Sequence, residues 1–176
     1  MDPSTGIHIP GPRLLLRPLR PEEIDAEWQA MVDADPMAIP ELPDEGEFRA
    51  RLARSGEMRD GWLDLGITLE DRLLGRIQTF VPPNQDLPPG TYWMGIGLRE
   101  AVRGQGHGRE ALAVFTDWLF EHAGAEIVEA PTDPENRPMR AVFEHVGWRE
   151  IETFTDFERP WVMYRATRAR WLAARG

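Results

Sequence analysis

Apolar positions near the start of the chain follow first a strand pattern and then a helical one. Residues 13–19 read Arg-Leu-Leu-Leu-Arg-Pro-Leu, which indicates an apolar strand that Pro18 ends. Pro21 and the two acidic residues after it mark a helix start. The spacing i, i+4, i+7 and i+8 forms the apolar face of that helix, with Ile24, Trp28, Met31 and Val32. A second helix carries Phe48 and Leu52 and is expected to end near Gly56.

The middle of the chain predicts a hairpin and two further strands. Residues 62–69 and 73–81 are apolar, rich in β-forming residues and separated by a short polar turn, which indicates an antiparallel pair. A proline-rich loop follows, and residues 92–98 then form a strand pattern. Residues 126–130 are predicted as the next strand.

The last third predicts one helix and two closing strands. The helix follows Pro134, and Gly147 ends it. Its apolar face recurs at i, i+3, i+4 and i+7, with Met139, Val142, Phe143 and Val146. Residues 148–154 and 161–167 are the two strands.

The chain shows no internal repeat, linker or low-complexity segment. We therefore expect residues 1–176 to form a single domain, with 1–12 and 169–176 as peripheral tails. The first residues lack the basic and apolar regions of an export signal. No apolar stretch approaches the roughly 20 residues that a membrane-spanning helix needs. These features predict a cytoplasmic protein.

The composition excludes several kinds of catalysis. The chain has no Cys, and all 20 of its Lys and Arg residues are Arg. This removes thiol nucleophiles, Cys-ligated zinc, Schiff-base chemistry and the lysine of a Walker A loop. The only serines, Ser4 and Ser55, lie outside any G-x-S-x-G motif, which argues against a serine hydrolase. The four histidines show no metal-site spacing, so no metal is expected.

A formal net charge of −10 bears on the partners of the chain. Nucleic acids and anionic membranes are bound chiefly by clustered cationic side chains, so neither is expected as a partner. A cationic acceptor is modestly favoured. The competing interpretation, that the acidity serves only solubility, has equal weight.

Residues 103–108 read Arg-Gly-Gln-Gly-His-Gly and directly precede a predicted helix. The apolar face of that helix is formed by Ala111, Val114, Phe115, Trp118 and Leu119. Such a loop can point successive backbone N–H groups at one pyrophosphate, and the helix N-terminus adds partial positive charge. A dinucleotide-binding G-x-G-x-x-G motif would need glycine in place of Arg109 and an early βαβ unit, so it does not fit. Taken alone, the loop is also compatible with a glycine-rich turn that binds nothing.

Residues 103–108 match the signature Q/R-x-x-G-x-G/A, and the loop thereby resembles the acetyl-CoA pyrophosphate loop of the GNAT (Gcn5-related N-acetyltransferase) family. A second segment resembles the family motif N-x-x-S-x-x-x-x-E-x-x-G-F, through Asn136, Met139, Glu144, Gly147 and Trp148, where Trp148 replaces the usual Phe. The resemblance extends over residues 13–168. Residues 13–20, 74–77 and 164–168 are similar to the branch that includes ribosomal-protein N-terminal acetyltransferases.

The resemblance implies an α/β (α+β) fold with a mixed, mostly antiparallel central sheet of six to seven strands, flanked by about four helices. Acetyl-CoA, the implied cosubstrate, would lie where the strand at residues 96–98 splays from its neighbour at 126–130. The implied cofactor-binding residues are Ile96, Gly97, Leu98, Arg103, Gly104, Gln105, Gly106, His107, Gly108, Arg109, Asn136 and Phe143.

Several of these residues have a second interpretation. By the resemblance, Asn136 would reach the pantetheine or thioester and Phe143 would face the sulfur. From the sequence alone, Asn136 is equally a helix N-cap and Phe143 a core residue. Arg109 and Arg140 either contact phosphate or are solvated helix residues. Of His107, the backbone N–H is expected to matter more than the imidazole.

The resemblance also implies the reaction, in which an amine attacks the thioester of acetyl-CoA directly. Family members often carry a tyrosine general acid where this chain has Phe143, and an acidic residue where it has Trp93. The remaining candidates are Glu129 and Asp133 as a base and Tyr92 as a proton donor, and each is also interpretable as structural or solvated. An N–H near Gly97 or Leu98 is the expected oxyanion donor.

The expected acceptor is a small-molecule amine or a protein N-terminal amine, and the loops at residues 37–47 and 81–90 would select it. The acyl group, acetyl or larger, and a homodimeric state are left open. Two alternatives remain: a non-catalytic acyl-CoA-binding domain of the same fold, and a nucleotide-binding oxidoreductase, which would bind NAD or flavin.

Overall fold

The computed structural model describes residues 5–34, 39, 41–83 and 85–176. The strands are β1 (Ile9–Pro10), β2 (Leu15–Arg17), β3 (Leu63–Leu69), β4 (Arg72–Phe80), β5 (Thr91–Leu98), β6 (Ile127–Thr132), β7 (Arg149–Asp156) and β8 (Arg159–Thr167). The helices are α1 (Pro21–Val32), α2 (Glu45–Leu52), α3 (His107–His122), α4 (Arg137–Val146) and α5 (Arg168–Ala173), with a short 3-10 turn at Glu100–Val102. Each strand and helix that the hydrophobic pattern predicts is present. Strand β1 and helix α5 are additional, so the described helices number five rather than about four.

The strands form one sheet in the order β1-β2-β3-β4-β5-β6-β8-β7. Every neighbouring pair is antiparallel except β5 and β6, which are parallel. The predicted fold, with a mixed and mostly antiparallel sheet, is confirmed. The described sheet has eight strands rather than six or seven, because Ile9 and Pro10 pair with Leu16 and Leu15. Two residues are too few for a periodic pattern, so β1 gave no signal in the sequence.

Helices cover both faces of the sheet. Consecutive strand residues point to opposite faces, and Leu73 and Leu74 of β4 show the two sides. Leu73 packs against the cluster that contains Phe48 of α2. Leu74 belongs to the larger core, which includes Phe115 of α3 and Phe143 of α4. Thus α1 and α2 lie on one face, and α3 and α4 lie on the other.

The two chain ends differ from the expectation of peripheral tails. Ile9 is 5% exposed and Trp171 is 3% exposed, and both belong to the main core. The Trp171 indole N–H donates to Asp117 at 2.6 Å, and its ring packs on Phe120 of α3. An isolated apolar residue in a polar stretch produces no periodicity, which is why these contributions were not predicted. Residues 1–4 lie outside the described part of the chain.

Two neighbouring strands in the middle of the sheet part from each other. Parallel pairing of β5 with β6 comprises Thr91 with Ile127, Tyr92 with Val128 and Trp93 with Glu129, and it ends there. Beyond this point β5 continues only against β4 and β6 only against β8. The strands therefore open into a gap on one side of the Trp93–Glu129 pair, which we call the β5–β6 gap.

No helix among the described residues is long and apolar enough to cross a membrane. The loops expected to select the acceptor are described except at residues 37, 38, 40 and 84.

Candidate active site

The glycine loop at residues 103–108 connects the end of β5 to α3. Gly104 and Gly106 adopt left-handed backbone angles, with φ of 74° and 84°. Only glycine takes such angles without strain, which explains their place in the loop. Gly108 differs from them and lies in the first turn of α3 with ordinary helical geometry. A Cβ on Gly104 would meet no atom within 4 Å, so the loop borders open space.

The N-terminus of α3 is open to an anion. Gly106 is its N-cap and has no side chain to bond the first N–H groups, and no other side chain caps the helix in the described part of the chain. The N–H groups of His107, Gly108 and Arg109 therefore point outward without an intrahelical acceptor. The helix dipole adds partial positive charge at the same place. This arrangement suits a pyrophosphate group.

Three side chains of the loop and of the helix start have contacts of their own. His107 is 4% exposed, so this residue offers the site its backbone N–H rather than its imidazole. Arg103 Nε donates to the Leu98 carbonyl at 3.0 Å. An Arg109 terminal nitrogen lies 3.5 Å from His145 Nε2 on α4. Backbone donors, not loop side chains, thus form the centre of the cradle.

The edge of β5 beyond Trp93 faces the β5–β6 gap without a partner strand. Ile96 and Leu98 pack toward the main core, whereas Gly97 is exposed and a Cβ on it would meet nothing within 4 Å. The backbone of this segment keeps its ladder with β4 on the other edge. A second extended chain can therefore lie along the free edge, close to the glycine loop that follows it.

Glu129 lies at the closed end of the β5–β6 gap. Its carboxylate is 4% exposed overall and accepts two different donors. The indole N–H of Trp93 donates to Oε2 at 3.1 Å, and Arg165 Nε on β8 donates to Oε1 at 2.7 Å. Both carboxylate oxygens are thus occupied. This candidate base is positioned at the site but held in an ion pair.

An aromatic row extends from the same point. Phe80 stacks on Trp62 at 4.7 Å between ring centroids, and the edge of Phe80 meets Trp93 at 6.2 Å. The Arg51 guanidinium lies 4.6 Å from the Trp62 ring centre and closes the far end of the row. All three rings are only partly buried. They form an apolar wall next to the closed end of the gap.

The other two acid–base candidates have structural contacts. The Tyr92 hydroxyl donates to the Ala123 carbonyl at 3.3 Å. Asp133 accepts the Glu135 N–H at 2.8 Å, which shapes the turn before α4. Asp133 Oδ2 also lies 3.9 Å from an Arg159 nitrogen.

Helix α4 and its N-cap carry two of the predicted cofactor-binding residues, Phe143 and Asn136. Asn136 is the N-cap of α4 and accepts the Met139 N–H at 3.2 Å, which matches its capping interpretation. Phe143 is 2% exposed and packs on Tyr164 and Trp148, with centroid distances of 4.9 and 5.1 Å. In this structure Phe143 is a core residue.

Tyr164 stacks on Phe143 and was not predicted from the sequence as a residue near the site. Its hydroxyl accepts from Arg140 Nε at 3.1 Å and donates to Glu144 at 2.9 Å. Burial raises the pKa of Tyr164, and its bond to Glu144 acts in the same direction while Arg140 opposes it. The phenol is therefore neutral near pH 7. Arg140, expected as a phosphate contact or a solvated residue, instead bonds to Tyr164.

A family model for the acetyltransferase (GNAT) domain matches residues 13–149, which is well over half of the chain. The chain belongs to the GNAT acetyltransferase family. As a member of that family it uses acetyl-CoA as its cosubstrate, and both the predicted family and the predicted cosubstrate are confirmed. The open α3 N-terminus and the unpaired edge of β5 fit a pyrophosphate and an extended pantetheine arm.

Solved structures of other acetyltransferases have the same fold. RimJ of Mycobacterium smegmatis in complex with CoA-disulfide is 20% identical, with 100% of this chain and 98% of that chain covered and a TM-score of 0.74. The aminoglycoside acetyltransferase AAC(6')-Ib in complex with coenzyme A is 16% identical, with coverage of 93% and 99% and a TM-score of 0.77. RimL, a ribosomal L7/L12 alpha-N-protein acetyltransferase in complex with coenzyme A, is 15% identical, with coverage of 92% and 98% and a TM-score of 0.75.

Two arginines that border the site of this acetyltransferase were missed from the sequence. Arg165 pairs with Glu129 across 36 positions of the chain, and Arg13 pairs with Glu110 of α3 across 97. No local pattern reveals such partners, since only the sheet order brings them together. Among the described residues, no group of three or more His, Cys, Asp or Glu side chains is arranged to hold a metal ion.

Proposed function

We propose that the chain moves an acetyl group from acetyl-CoA to a primary amine by direct attack in a ternary complex. The observation that carries the proposal is the position of the β5–β6 gap, which opens beside the glycine loop and the uncapped N-terminus of α3. The loop would hold the pyrophosphate through backbone N–H groups. The pantetheine arm would then run along the free edge of β5 and bring the thioester to the closed end of the gap, near Trp93 and Glu129.

The reaction needs a neutral amine and a donor for the oxyanion. The amine nitrogen attacks the thioester carbon, and the carbonyl oxygen becomes an oxyanion. A backbone N–H at Gly97 or Leu98 would donate to it, an interaction worth about 3 kcal/mol in other acyl-transfer sites. Collapse of the intermediate breaks the C–S bond and releases CoA thiolate. Because a thiol has a pKa of about 8.5, the thiolate departs without a strong acid.

The proton of the attacking amine goes to water. A free α-amine has a pKa of about 8, compared with about 10.4 for a lysine side chain, so it is already partly neutral near pH 7. Both oxygens of Glu129 already accept hydrogen bonds, from Trp93 and from Arg165, so this side chain has a structural role in the proposal. Asp133 and Tyr92 are likewise engaged in structural bonds.

For the acceptor we propose an amine on a small molecule or at a protein N-terminus. The similar structures include enzymes named for each class, an aminoglycoside acetyltransferase and an alpha-N-protein acetyltransferase. The net charge of −10 favours a cationic acceptor molecule. The aromatic row of Trp62, Phe80 and Trp93 would line its binding site. A separate open cleft is lined by residues between Val81 and Tyr92, in the loop that joins β4 to β5.

One observation favours a second candidate, a domain that binds acyl-CoA without turnover. The position of the family's tyrosine acid is held by Phe143, which is buried in the core, and the position of its acidic residue is held by Trp93. Such a protein would keep the cradle and the gap but would lack acid–base groups at the thioester.

An assay of CoA release separates the two candidates. The purified protein is mixed with acetyl-CoA and a panel of α-amino peptides, aminoglycosides and polyamines, and free thiol is measured with a colorimetric reagent. The chain contains no Cys, so it contributes no thiol of its own. We expect amine-dependent release that Gly106→Val strongly reduces. Tight acetyl-CoA binding with no release above the solvent rate for any amine would support the binding domain instead.

A further inference from the structure

We propose that Arg13, which lies before β2, binds a phosphate group of the CoA that is held by the glycine loop. This inference rests on the proposed role of the loop. The chain has no Lys, so any cation at the cradle must be Arg or His. Of the two arginines beside the glycines, Arg103 donates through Nε to the Leu98 carbonyl, and an Arg109 terminal nitrogen lies 3.5 Å from His145 Nε2. A further cation, Arg13, comes to the loop from a distant part of the chain.

Glu110 in the first turn of α3 holds Arg13 in place at three points. Oε1 accepts the backbone N–H of Arg13 at 2.6 Å and that of Leu14 at 2.8 Å. Oε2 accepts Arg13 Nε at 2.8 Å. Both the backbone and the guanidinium of Arg13 are therefore fixed against the helix whose N-terminus forms the cradle.

The guanidinium reaches the glycine loop itself. A Cβ placed on Gly106 would lie 3.4 Å from an Arg13 terminal nitrogen, and among the described residues no other atom outside the adjoining chain comes within 4 Å of it. Nε is used by Glu110, whereas the two terminal nitrogens form no hydrogen bond within the described part of the chain. The side chain is 50% exposed. Terminal N–H groups of arginine match two oxygens of one phosphate.

The charge of Glu110 gives this pairing a further purpose. Bonds from Arg13 and Leu14 keep the carboxylate ionised, and a bare carboxylate so close to the cradle would repel the phosphates of CoA. Arg13 neutralises Glu110 through Nε and directs its remaining donors toward the loop. One residue thus removes the repulsion and supplies a contact.

Calorimetric titration with CoA and with 3′-dephospho-CoA tests the proposal. For Arg13→Gln we expect at least about tenfold weaker CoA binding, as for a lost bond to a charged group. Arg170→Gln makes the same charge change on exposed α5 and should bind as the wild type does. If the contact is to the 3′-phosphate, only CoA is affected, and if it is to the pyrophosphate, both ligands weaken equally.

A double variant separates a direct contact from repulsion by an unpaired Glu110. We expect Arg13→Gln with Glu110→Gln to bind CoA at least about fivefold more weakly than Glu110→Gln alone. Equal binding by these two proteins would overturn the proposal. If Arg13→Gln fails to fold, Arg13→Lys can be tested, because it keeps the positive charge and loses the paired terminal N–H groups. Unchanged CoA affinity in Arg13→Lys would likewise count against the proposal. A wild type that does not bind CoA at all would instead refute the proposed function.

Discussion

The indole N–H of Trp93 donates to the carboxylate of Glu129 at the last residue pair that joins β5 to β6. The bond lies at the end of the β5–β6 gap where the two strands are still paired. Arg165 holds the other carboxylate oxygen. The three side chains fix the geometry of the closed end without leaving a free base there.

The first prediction follows from this contact. In Glu129→Gln the amide oxygen still accepts the indole N–H, while the ion pair with Arg165 is lost. We expect kcat to fall less than tenfold with an unchanged pH–rate profile, and the free energy of unfolding to fall by about 1–3 kcal/mol. Glu129→Ala also removes the hydrogen bond from the Trp93 indole, so it should raise KM more than Glu129→Gln does. A thousandfold loss of kcat in the glutamine variant, together with loss of the fall in rate on the acid side of the profile, would identify Glu129 as the general base.

The second prediction concerns the glycines of the loop. Gly106 has φ of 84°, so valine there is strained by about 1–2 kcal/mol, and its side chain would enter the cradle. We expect Gly106→Val to bind acetyl-CoA at least about tenfold more weakly by calorimetry, with a smaller loss of stability. Unchanged affinity in the folded variant would mean that the loop does not hold the cosubstrate.

Gly108 provides a comparison for the loss of stability in Gly106→Val. It is helical, and a Cβ on it would make an ordinary contact of 3.6 Å with Leu98. Gly108→Ala should therefore leave the melting temperature unchanged or raise it, since alanine favours a helix by up to about 1 kcal/mol.

In the wild type, acetyl-CoA at a hundred times its Kd should stabilise the fold by about 2.7 kcal/mol, and NAD or ATP far less.

The third prediction addresses the missing tyrosine. Phe143 is packed against Tyr164 and Trp148, so a hydroxyl added in Phe143→Tyr enters the core. We expect the fold to persist with a loss of about 1–3 kcal/mol in urea unfolding, and only a modest change in rate. Phe157→Tyr adds the same hydroxyl to an exposed ring and should cost nothing measurable. A hundredfold gain in rate for Phe143→Tyr would show that the present protein is a weakened enzyme.

The fourth prediction is an acid dependence of stability. Burial alone would raise the pKa of Glu110, but the N–H groups of Arg13 and Leu14 and the Arg13 guanidinium outweigh it, so this pKa lies below its ordinary 4.5. A lower pKa in the folded state means that ionised Glu110 stabilises the fold near neutral pH. That contribution disappears as the pH falls from about 4.5 through the folded pKa.

Melting curves across the acid range check this dependence. Glu110→Gln should be less stable than the wild type at pH 7, and the difference should shrink as the pH falls below about 4.5. Glu121→Gln, on the exposed surface of the same helix, should follow the wild-type curve. A constant difference between Glu110→Gln and the wild type at every pH would contradict the lowered pKa.

Local patterns predicted the parts of the site that depend on local chemistry. The strand at residues 92–98, the glycine loop and the helix after it all arise from residues close together in the chain, and each was found. The contacts of Glu129 were not predictable, because the register of β6 with β8 places Arg165 opposite it. Phe143 fitted two interpretations, and only packing against Tyr164 shows which applies to the structure.

The short pairing of β5 with β6 divides the sheet mechanically. Strands β1 to β5 and strands β6 to β8 are joined by three parallel residue pairs, the single parallel junction among the described strands. A pantetheine arm that is hydrogen-bonded along the open edge of β5 would hold the two parts of the sheet together at this junction. Hydrogen exchange of the amides on both sides of the gap, in β5 after Trp93 and in β6 after Glu129, would then slow together when the cosubstrate binds.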